Sequence, residues 1–292
     1  MEYLMTYGWA ILIIAVVLAV LFQLGVFSGG NFAPKAQPGS CQISSTVAGT
    51  SLEGQCDGLQ PEFVSTFSGI PYSDFITASP VTLSSTSISV TAWINSQGST
   101  PVHDQGIVGN INICCTVAGF QLGLDQSPER VFFVYNNIDT TPIPITAGSW
   151  IFVAGTYNQT TGVGYTYAST PGSCTLTSTT GTSASALFTN NYDLYIGNDA
   201  WQPGGYDVFN GSISNVQLYN TGLTSTEVQA LCLEGIGGAP IRPQNIVGWW
   251  PLNGNANDYS GNNNNGQITT GSGSSNPAVT YSSAWEGSYT AP

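Results

Sequence analysis

Charged side chains are scarce in this sequence: Asp, Glu, Lys and Arg make up 7% of 292 residues, against about 25% in an ordinary soluble protein. Lys35, Arg130 and Arg242 stand against 16 acids, for a formal net charge of −13. Phosphate binding needs clustered Lys and Arg, so a nucleic-acid partner is not expected. The balance suits an acidic habitat, because near pH ~3 most carboxylates are protonated. A single histidine and no C-x-x-C pair argue against zinc. No G-x-S-x-G motif accompanies His103 and its neighbour Asp104, so His103 reads as a solvated loop histidine rather than a catalytic one. Glycoside hydrolysis needs two carboxylates in different environments. Asp125 with Glu129, Asp193 with Asp199, or Asp207 can be nominated, but no spacing singles out a pair. The chain is therefore expected not to be an enzyme.

Hydrophobic residues reach 41% and aromatics 11%, which argues for packed cores rather than disorder. The six cysteines are Cys41, Cys56, Cys114, Cys115, Cys174 and Cys232. An even count behind an apolar N-terminus implies disulfides in an oxidising compartment. Closeness in sequence favours Cys41 with Cys56. Cys114 and Cys115 point to opposite faces if their segment is a strand, so they are expected to bond different partners, Cys174 and Cys232.

From Leu4 to Phe27 the chain carries no charge, and only Thr6 and Gln23 are clearly polar. A helix of that length, at ~1.5 Å per residue, can span a bilayer core. A plain anchor is one reading. A cleaved signal peptide fits poorly, because there is no basic n-region, the run is too long and no small-residue cleavage site follows. Glu2 sits at the lip of the run, followed by Tyr3, Tyr7 and Trp9. An acid there needs something cationic to meet it. MEYLMTYGWAILII resembles the N-terminus of archaeal type IV pilin-like proteins with a class III signal peptide. The resemblance implies a cut ahead of the apolar stretch and a Glu at the fifth mature position that pairs with a neighbouring subunit's terminal amine. Glu2 matches that Glu, which places the start of this sequence three residues late; the basic residue and Gly that precede the cut in that family are missing. Small residues such as Gly8, Ala10 and Ala15 permit close helix approach.

Ser28–Ser40 is dense in Gly and Pro and reads as a linker. Beyond it the pattern turns to short strands and polar turns. Ile88, Val90, Ala92 and Ile94 alternate on one face. Arg130–Tyr135 and Trp150–Ala154 look like central strands, with further strands at Tyr192–Gly197 and Ser212–Tyr219; this spacing indicates a β-sandwich. Thr224-Ser-Thr-Glu227 is a capping-box pattern, and Gly235 is the expected stop of the short helix it opens. EFVSTFSG (Glu62–Gly69), SISVTAWIN (Ser87–Asn95), QGIVGN (Gln105–Asn110), the run Ala147–Tyr167 and the run Phe209–Cys232 resemble a laminin-G or concanavalin A-like domain over roughly residues 58–236. That family hosts lectins, accessory modules of enzymes and adhesins.

Gly248–Gly261 resembles the opening of such a domain, yet here it follows the strands. A permuted sandwich is expected, with Val247–Leu252 pairing near Ser214–Leu218, where an unpaired edge would be a liability. Donor-strand addition to a neighbouring subunit is the alternative. Asn255, Asn257, Asp258, Ser260 and Asn262 form an oxygen-rich loop. In relatives such a loop helps bind Ca²⁺, with Asp258 as the only carboxylate here; Asx-rich turns are the other reading. Asn158 and Asn210 head N-glycosylation tripeptides. Trp201 and Tyr206 are the candidates to stack on a sugar ring, with loop packing as the alternative.

The expected architecture is a long N-terminal α-helix (1–27), a linker (28–40) and an all-β, laminin-G/concanavalin A-like jelly-roll head (41–292), in which 245–292 completes or decorates the sandwich. It carries one short helix and a permuted terminal strand. The expected function is structural: an extracellular type IV pilus-like subunit, membrane-inserted before it self-associates into a helical homopolymer through Glu2, Tyr3, Tyr7 and Trp9, with surface glycans as partners of its head. No cofactor is expected beyond the Ca²⁺ reading. The alternative is a membrane-anchored lectin that does not polymerise.

Overall fold

The computed structural model describes residues 11–19, 35–46, 49–56, 60–70, 75–83, 87–98, 103–110, 119–125, 129–136, 138–182, 190–199, 205–269 and 279–283. The chain divides into two compact units, Met1–Lys35 and Ala36–Pro292, with the division inside the expected linker.

In the first unit the described helix covers residues 11–19. At ~1.5 Å per residue it is roughly 13 Å long, less than half of a bilayer core of ~30 Å. The expected long helix over 1–27 is thereby corrected. Among the described residues, no helix is long and apolar enough to cross a membrane. The physical reason is that an apolar run bounds a helix without setting its extent. Ile11, Ile13, Ile14, Val16 and Val17 are β-branched, which lowers helix propensity, and short helices gain most of their stability from packing against a partner.

The second unit is a two-sheet sandwich. The first sheet runs in the order Ile138–Asp139, Arg130–Tyr135, Phe120–Asp125, Gln105–Gly109, Asn190–Ile196, Phe75–Leu83, Gly266–Thr269, with Ile143–Pro144 also paired to Arg130–Tyr135. The second runs Leu176–Thr182, Val163–Ser169, Ile151–Asn158, Ile88–Ser96, Asn210–Tyr219, Phe63–Ser68, Thr280–Ser283. Every residue of Ile88–Ser96 is buried, because this strand has the sandwich core on one face and a second layer on the other. Arg130–Tyr135 alternates strictly, the period of a strand with one face in the core. Gly155 shows how closely the sheets approach: a Cβ there would lie 2.1 Å from the Phe133 ring of the opposite sheet.

Over the outer face of the second sheet lies the helix Ser225–Leu233, which buries Val228, Leu231 and Cys232. It opens with the capping box: Thr224 Oγ1 accepts the Glu227 N–H at 3.3 Å, and the Thr224 N–H donates to the Glu227 carboxylate at 2.8 Å. Gly235, in the left-handed region at φ +80°, follows its end. Beneath the helix pack Trp93, Trp150, Phe152, Tyr167 and Trp249.

Cys41 is bonded to Cys56 and Cys174 to Cys232. The expected bonds from Cys114 and Cys115 to Cys174 and Cys232 are corrected. Helix and sheet bring those last two together, a tertiary fact that sequence spacing does not carry. Cys114 and Cys115 lie outside the described residues.

The strand Ile246–Trp250 pairs antiparallel with Asn210–Tyr219 in the same chain, Val216 opposite Trp250 and Leu218 opposite Gly248. Phe63–Ser68 occupies the same edge only from Asn210 to Ile213, so Ile246–Trp250 satisfies the remaining half. A buried polar network fixes it. The Trp249 indole N–H donates to Asn215 Oδ1 at 2.8 Å, while Asn215 and Gln217 both donate to the Gly238 carbonyl. Farther on, Gly266–Thr269 and Thr280–Ser283 add one strand to an edge of each sheet.

Candidate functional site

One group of side chains is assembled from strands distant in sequence. Gln105, from the first sheet, accepts the Asn210 N–H on Oε1 at 2.8 Å and donates to the Gly98 carbonyl at 3.3 Å. Asn210 Nδ2 donates to the same carbonyl at 3.2 Å. Ser96 donates its hydroxyl to the buried Glu129 carboxylate. These bonds tie Gln105 to the start of the strand Asn210–Tyr219, and they position the segments that lead into both.

On those segments lie His103, Tyr206 and Asp207. The His103 imidazole stacks on the Tyr206 ring, with centroids 4.9 Å apart and planes 11° from parallel. Its Nδ1 lies 3.3 Å from Asp207 Oδ1. The Asp207 carbonyl accepts the N–H groups of Gly106 and Asp199 at 3.2 and 3.0 Å, which fixes the carboxylate beneath the imidazole. Burial pushes the Asp207 carboxyl above the usual range, and the neighbouring His103 only partly opposes this. Tyr206 is 43% exposed, so part of its surface faces solvent while the imidazole covers one side of the ring. An aromatic plane beside a carboxylate and an imidazole can stack on an apolar sugar face while accepting and donating hydrogen bonds at its rim.

His103 is a loop histidine with its side chain 39% exposed, and a carboxylate beside it is that of Asp207. The two are 104 positions apart, so adjacency in sequence pointed to Asp104. The one local signal was the Tyr206-Asp207 dipeptide. Trp201 lies outside the described residues, as do Glu2, Tyr3, Tyr7 and Trp9. Of the carboxylates that sequence could nominate as a pair, Asp125 is bonded to Arg130.

Asp258 does other work than a cation ligand. Its Oδ1 accepts the N–H groups of Trp249 and Ser260 at 2.9 and 2.8 Å, and its Oδ2 accepts that of Asn264 at 2.8 Å. Asn262 and Asn264 donate side-chain N–H groups to the Val247 carbonyl. The Asx-rich loop is a clasp on the strand Ile246–Trp250. A calcium ion takes six to eight oxygens, and this carboxylate, already committed to three N–H donors, does not fit one. Among the described residues, no group of three or more His, Cys, Asp or Glu could hold a metal.

Two facing sheets of antiparallel strands, with a short capping helix and strands closing both edges, define a lectin-type jelly-roll sandwich. Residues 70–229 match the family model described as the concanavalin A-like lectin/glucanases superfamily, and the chain belongs to that superfamily. The strand Ile246–Trp250 falls beyond the matched residues. No curated protein matches the chain. Among solved structures, a Bacteroides ovatus protein to which carbohydrate binding is ascribed superimposes with a TM-score of 0.50 at 18% identity, over 82% of this chain and 67% of that one. A heptameric SAP-like pentraxin from Limulus polyphemus gives 0.48 at 16%, over 78% and 98%. The CBM40 of a Ruminococcus gnavus IT-sialidase, bound to α2,3-sialyllactose, gives 0.40 at 13%, over 61% and 100%. At these identities the likeness is one of fold.

Proposed function

We propose that this chain is a non-enzymatic carbohydrate-binding protein displayed outside the cell, which takes a saccharide against Tyr206 and His103. The observation that carries this reading is Tyr206 itself, 43% exposed and with its ring braced from behind by a parallel imidazole. Bracing removes the rotamer entropy that a free loop tyrosine would lose on binding. Lectin-type membership, and disulfides that suit an oxidising compartment, support the same reading.

The test is a glycan array probed with the full chain, followed by calorimetry on the best ligand. Tyr206→Ala is expected to weaken binding at least tenfold while Tm stays within about 2 °C, because the variant removes the aromatic face on which the saccharide stacks and leaves the core untouched. Trp201→Ala, five positions earlier in the sequence, is the companion variant. Equal binding by Tyr206→Ala and the parent chain defeats the assignment.

A second reading, assembly into a surface filament, has one observation in its favour. The seven Ile, Leu and Val side chains of residues 11–19 are all 47–67% exposed. A helix apolar around its whole circumference takes apolar surroundings, and copies of the same segment would supply them. Electron microscopy of the source cells, joined to mass spectrometry of the mature N-terminus, decides it. Filaments built from chains that retain 11–19 support assembly, and dispersed chains lacking it rule assembly out.

A further inference from the structure

The two N-glycosylation tripeptides stand in opposite situations. Asn210 is half-buried at the start of a strand; its N–H donates to Gln105 and its Nδ2 to the Gly98 carbonyl. That nitrogen is already engaged, bonded to a carbonyl just past the end of the neighbouring strand Ile88–Ser96. Asn158, by contrast, ends the strand Ile151–Asn158 with its side chain exposed. Its Oδ1 accepts the Thr160 N–H at 2.9 Å, and its carbonyl accepts the Gly162 N–H at 2.9 Å. The turn is anchored again by the Gln159 N–H, which donates to Ser87 Oγ at 3.0 Å. The tripeptide is thus held in an Asx-turn on a rigid strand end. Among the described residues, Nδ2 of Asn158 makes no hydrogen bond.

Asn158 also lines a groove on the outer face of the second sheet, with Thr156, Tyr165, Tyr167, Ser178 and Thr224. Strand register puts the asparagine and the tyrosines on one face, since Thr156 lies opposite Tyr165 and Asn158 opposite Val163. Diagonal neighbours on a sheet are ~7–8 Å apart, about the reach of one sugar ring. The Tyr165 and Tyr167 rings are 5.9 Å apart and 25° from parallel. Among the described residues, no charged side chain lines the groove, although the chain as a whole carries a net charge of −13. Hydroxyls, amides and a phenol ring in an uncharged trough are the surroundings a neutral sugar takes.

We propose that Asn158 carries an N-linked glycan whose first sugars lie in this groove against Tyr165. The donor is an oligosaccharide joined through its anomeric carbon to a lipid diphosphate. A bond forms between Nδ2 and that carbon. The carbon–oxygen bond to phosphate breaks, its electron pair leaves on the lipid diphosphate, and one Nδ2 proton passes to a base of the transferase. The glycan then covers the outer face of the sheet beside the helix Ser225–Leu233.

Peptide mass spectrometry on the protein purified from the cells that make it is the direct test. The peptide holding Asn158 is expected to carry a glycan mass that Asn158→Gln abolishes, while the peptide holding Asn210 stays unmodified. An unmodified Asn158 overturns the proposal. Placement in the groove is tested by comparing Tm before and after enzymatic deglycosylation. In the parent chain and in Tyr165→Phe, deglycosylation is expected to lower Tm by about 2–4 °C, and in Tyr165→Ala to leave it unchanged. An equal drop in all three overturns the placement against Tyr165. Both readouts are independent of ligand binding at Tyr206.

Discussion

Between the two sheets the packing is mostly aliphatic and phenyl, with Ile76, Val90, Leu122, Leu124 and Phe133 among its residues. Beneath the helix Ser225–Leu233 aliphatic residues such as Val228, Leu231 and Ile236 are joined by indole, phenol and sulfur, from Trp93, Trp150, Trp249, Tyr167 and the half-cystines Cys174 and Cys232. The inner layer has a sheet on each side, so ordinary aliphatic side chains can fill it. The outer layer has a sheet on one side and one short helix with a loop on the other. Few residues cover it, so each must bury more area, and Trp and Tyr bury 150–250 Å² each. Both described disulfides lie at this outer layer, where a cross-link compensates for the area that one helix cannot supply.

The largest expected effect tests the inner layer where the C-terminal segment enters it. Trp250 is fully buried there, and its indole N–H donates to the Asn264 carbonyl at 2.9 Å. Trp250→Ala is expected to cost about 3–5 kcal/mol in urea unfolding. A loss below ~1 kcal/mol would mean that Ile246–Trp250 decorates the sandwich rather than completing it. Next come the disulfides of the outer layer. Closure of a 58-residue separation constrains the unfolded chain more than closure of a 15-residue one. Removing Cys174–Cys232 with paired Ser substitutions is therefore expected to cost about 4 kcal/mol, and removing Cys41–Cys56 about 3 kcal/mol. The reverse order would show that native strain, not loop entropy, governs this layer.

How much of this was readable beforehand follows the same division. The inner-layer strands announced themselves by alternation, as at Ile88–Ile94. The return of Ile246–Trp250 to Asn210–Tyr219 was readable because Gly248–Leu252 carries its own local pattern. The capping box Thr224–Glu227 was readable for the same reason. The outer layer was less legible. Its Cys174–Cys232 bond depends on where the helix docks, and no spacing states that. The stacking of His103 on Tyr206 was hidden likewise, because it requires the register that Gln105 and Asn210 set across the sheets. The N-terminal run misled in another way: apolar length was visible, whereas helix extent depends on a packing partner that a single sequence does not contain. Asp258 was ambiguous because an oxygen-rich loop looks the same whether its oxygens meet a cation or backbone N–H groups.

A smaller effect is expected at the cap of the outer helix. Thr224→Ala removes the acceptor for the Glu227 N–H and should cost about 1 kcal/mol. Thr224→Ser should restore most of it. If Thr224→Ala is silent, the helix is held by Val228, Leu231 and the disulfide alone.

The smallest effect, and the sharpest contrast between the regions, is in pH dependence. Glu129 is buried, with Ser96 donating to Oε1 and Oε2 making no hydrogen bond among the described residues. Burial pushes its carboxyl above 4.5, and the Ser96 hydroxyl only partly opposes this. Glu227 is the opposite case: partial burial would raise it, but the Thr224 N–H and the Arg242 guanidinium outweigh burial and hold it below 4.5. A raised folded-state pKa contributes stability that is complete below pH ~4.5 and is lost as pH rises through the raised value. A lowered one contributes stability that is present above pH ~4.5 and is lost as pH falls through the lowered value. Asp139 and Asp207 are raised as well, chiefly by burial. The chain is therefore expected to gain stability as pH falls through the raised values of these carboxyls towards their ordinary range, with a slope for any one group below about 1.4 kcal/mol per pH unit. Glu129→Gln should flatten that gain, and Glu227→Gln should lower stability at pH 7 while converging on the parent in acid. Urea midpoints across pH 3–8 check both. A parent chain most stable near pH 8, with Glu129→Gln indistinguishable from it, would remove the tie between scarce basic charge and an acidic habitat.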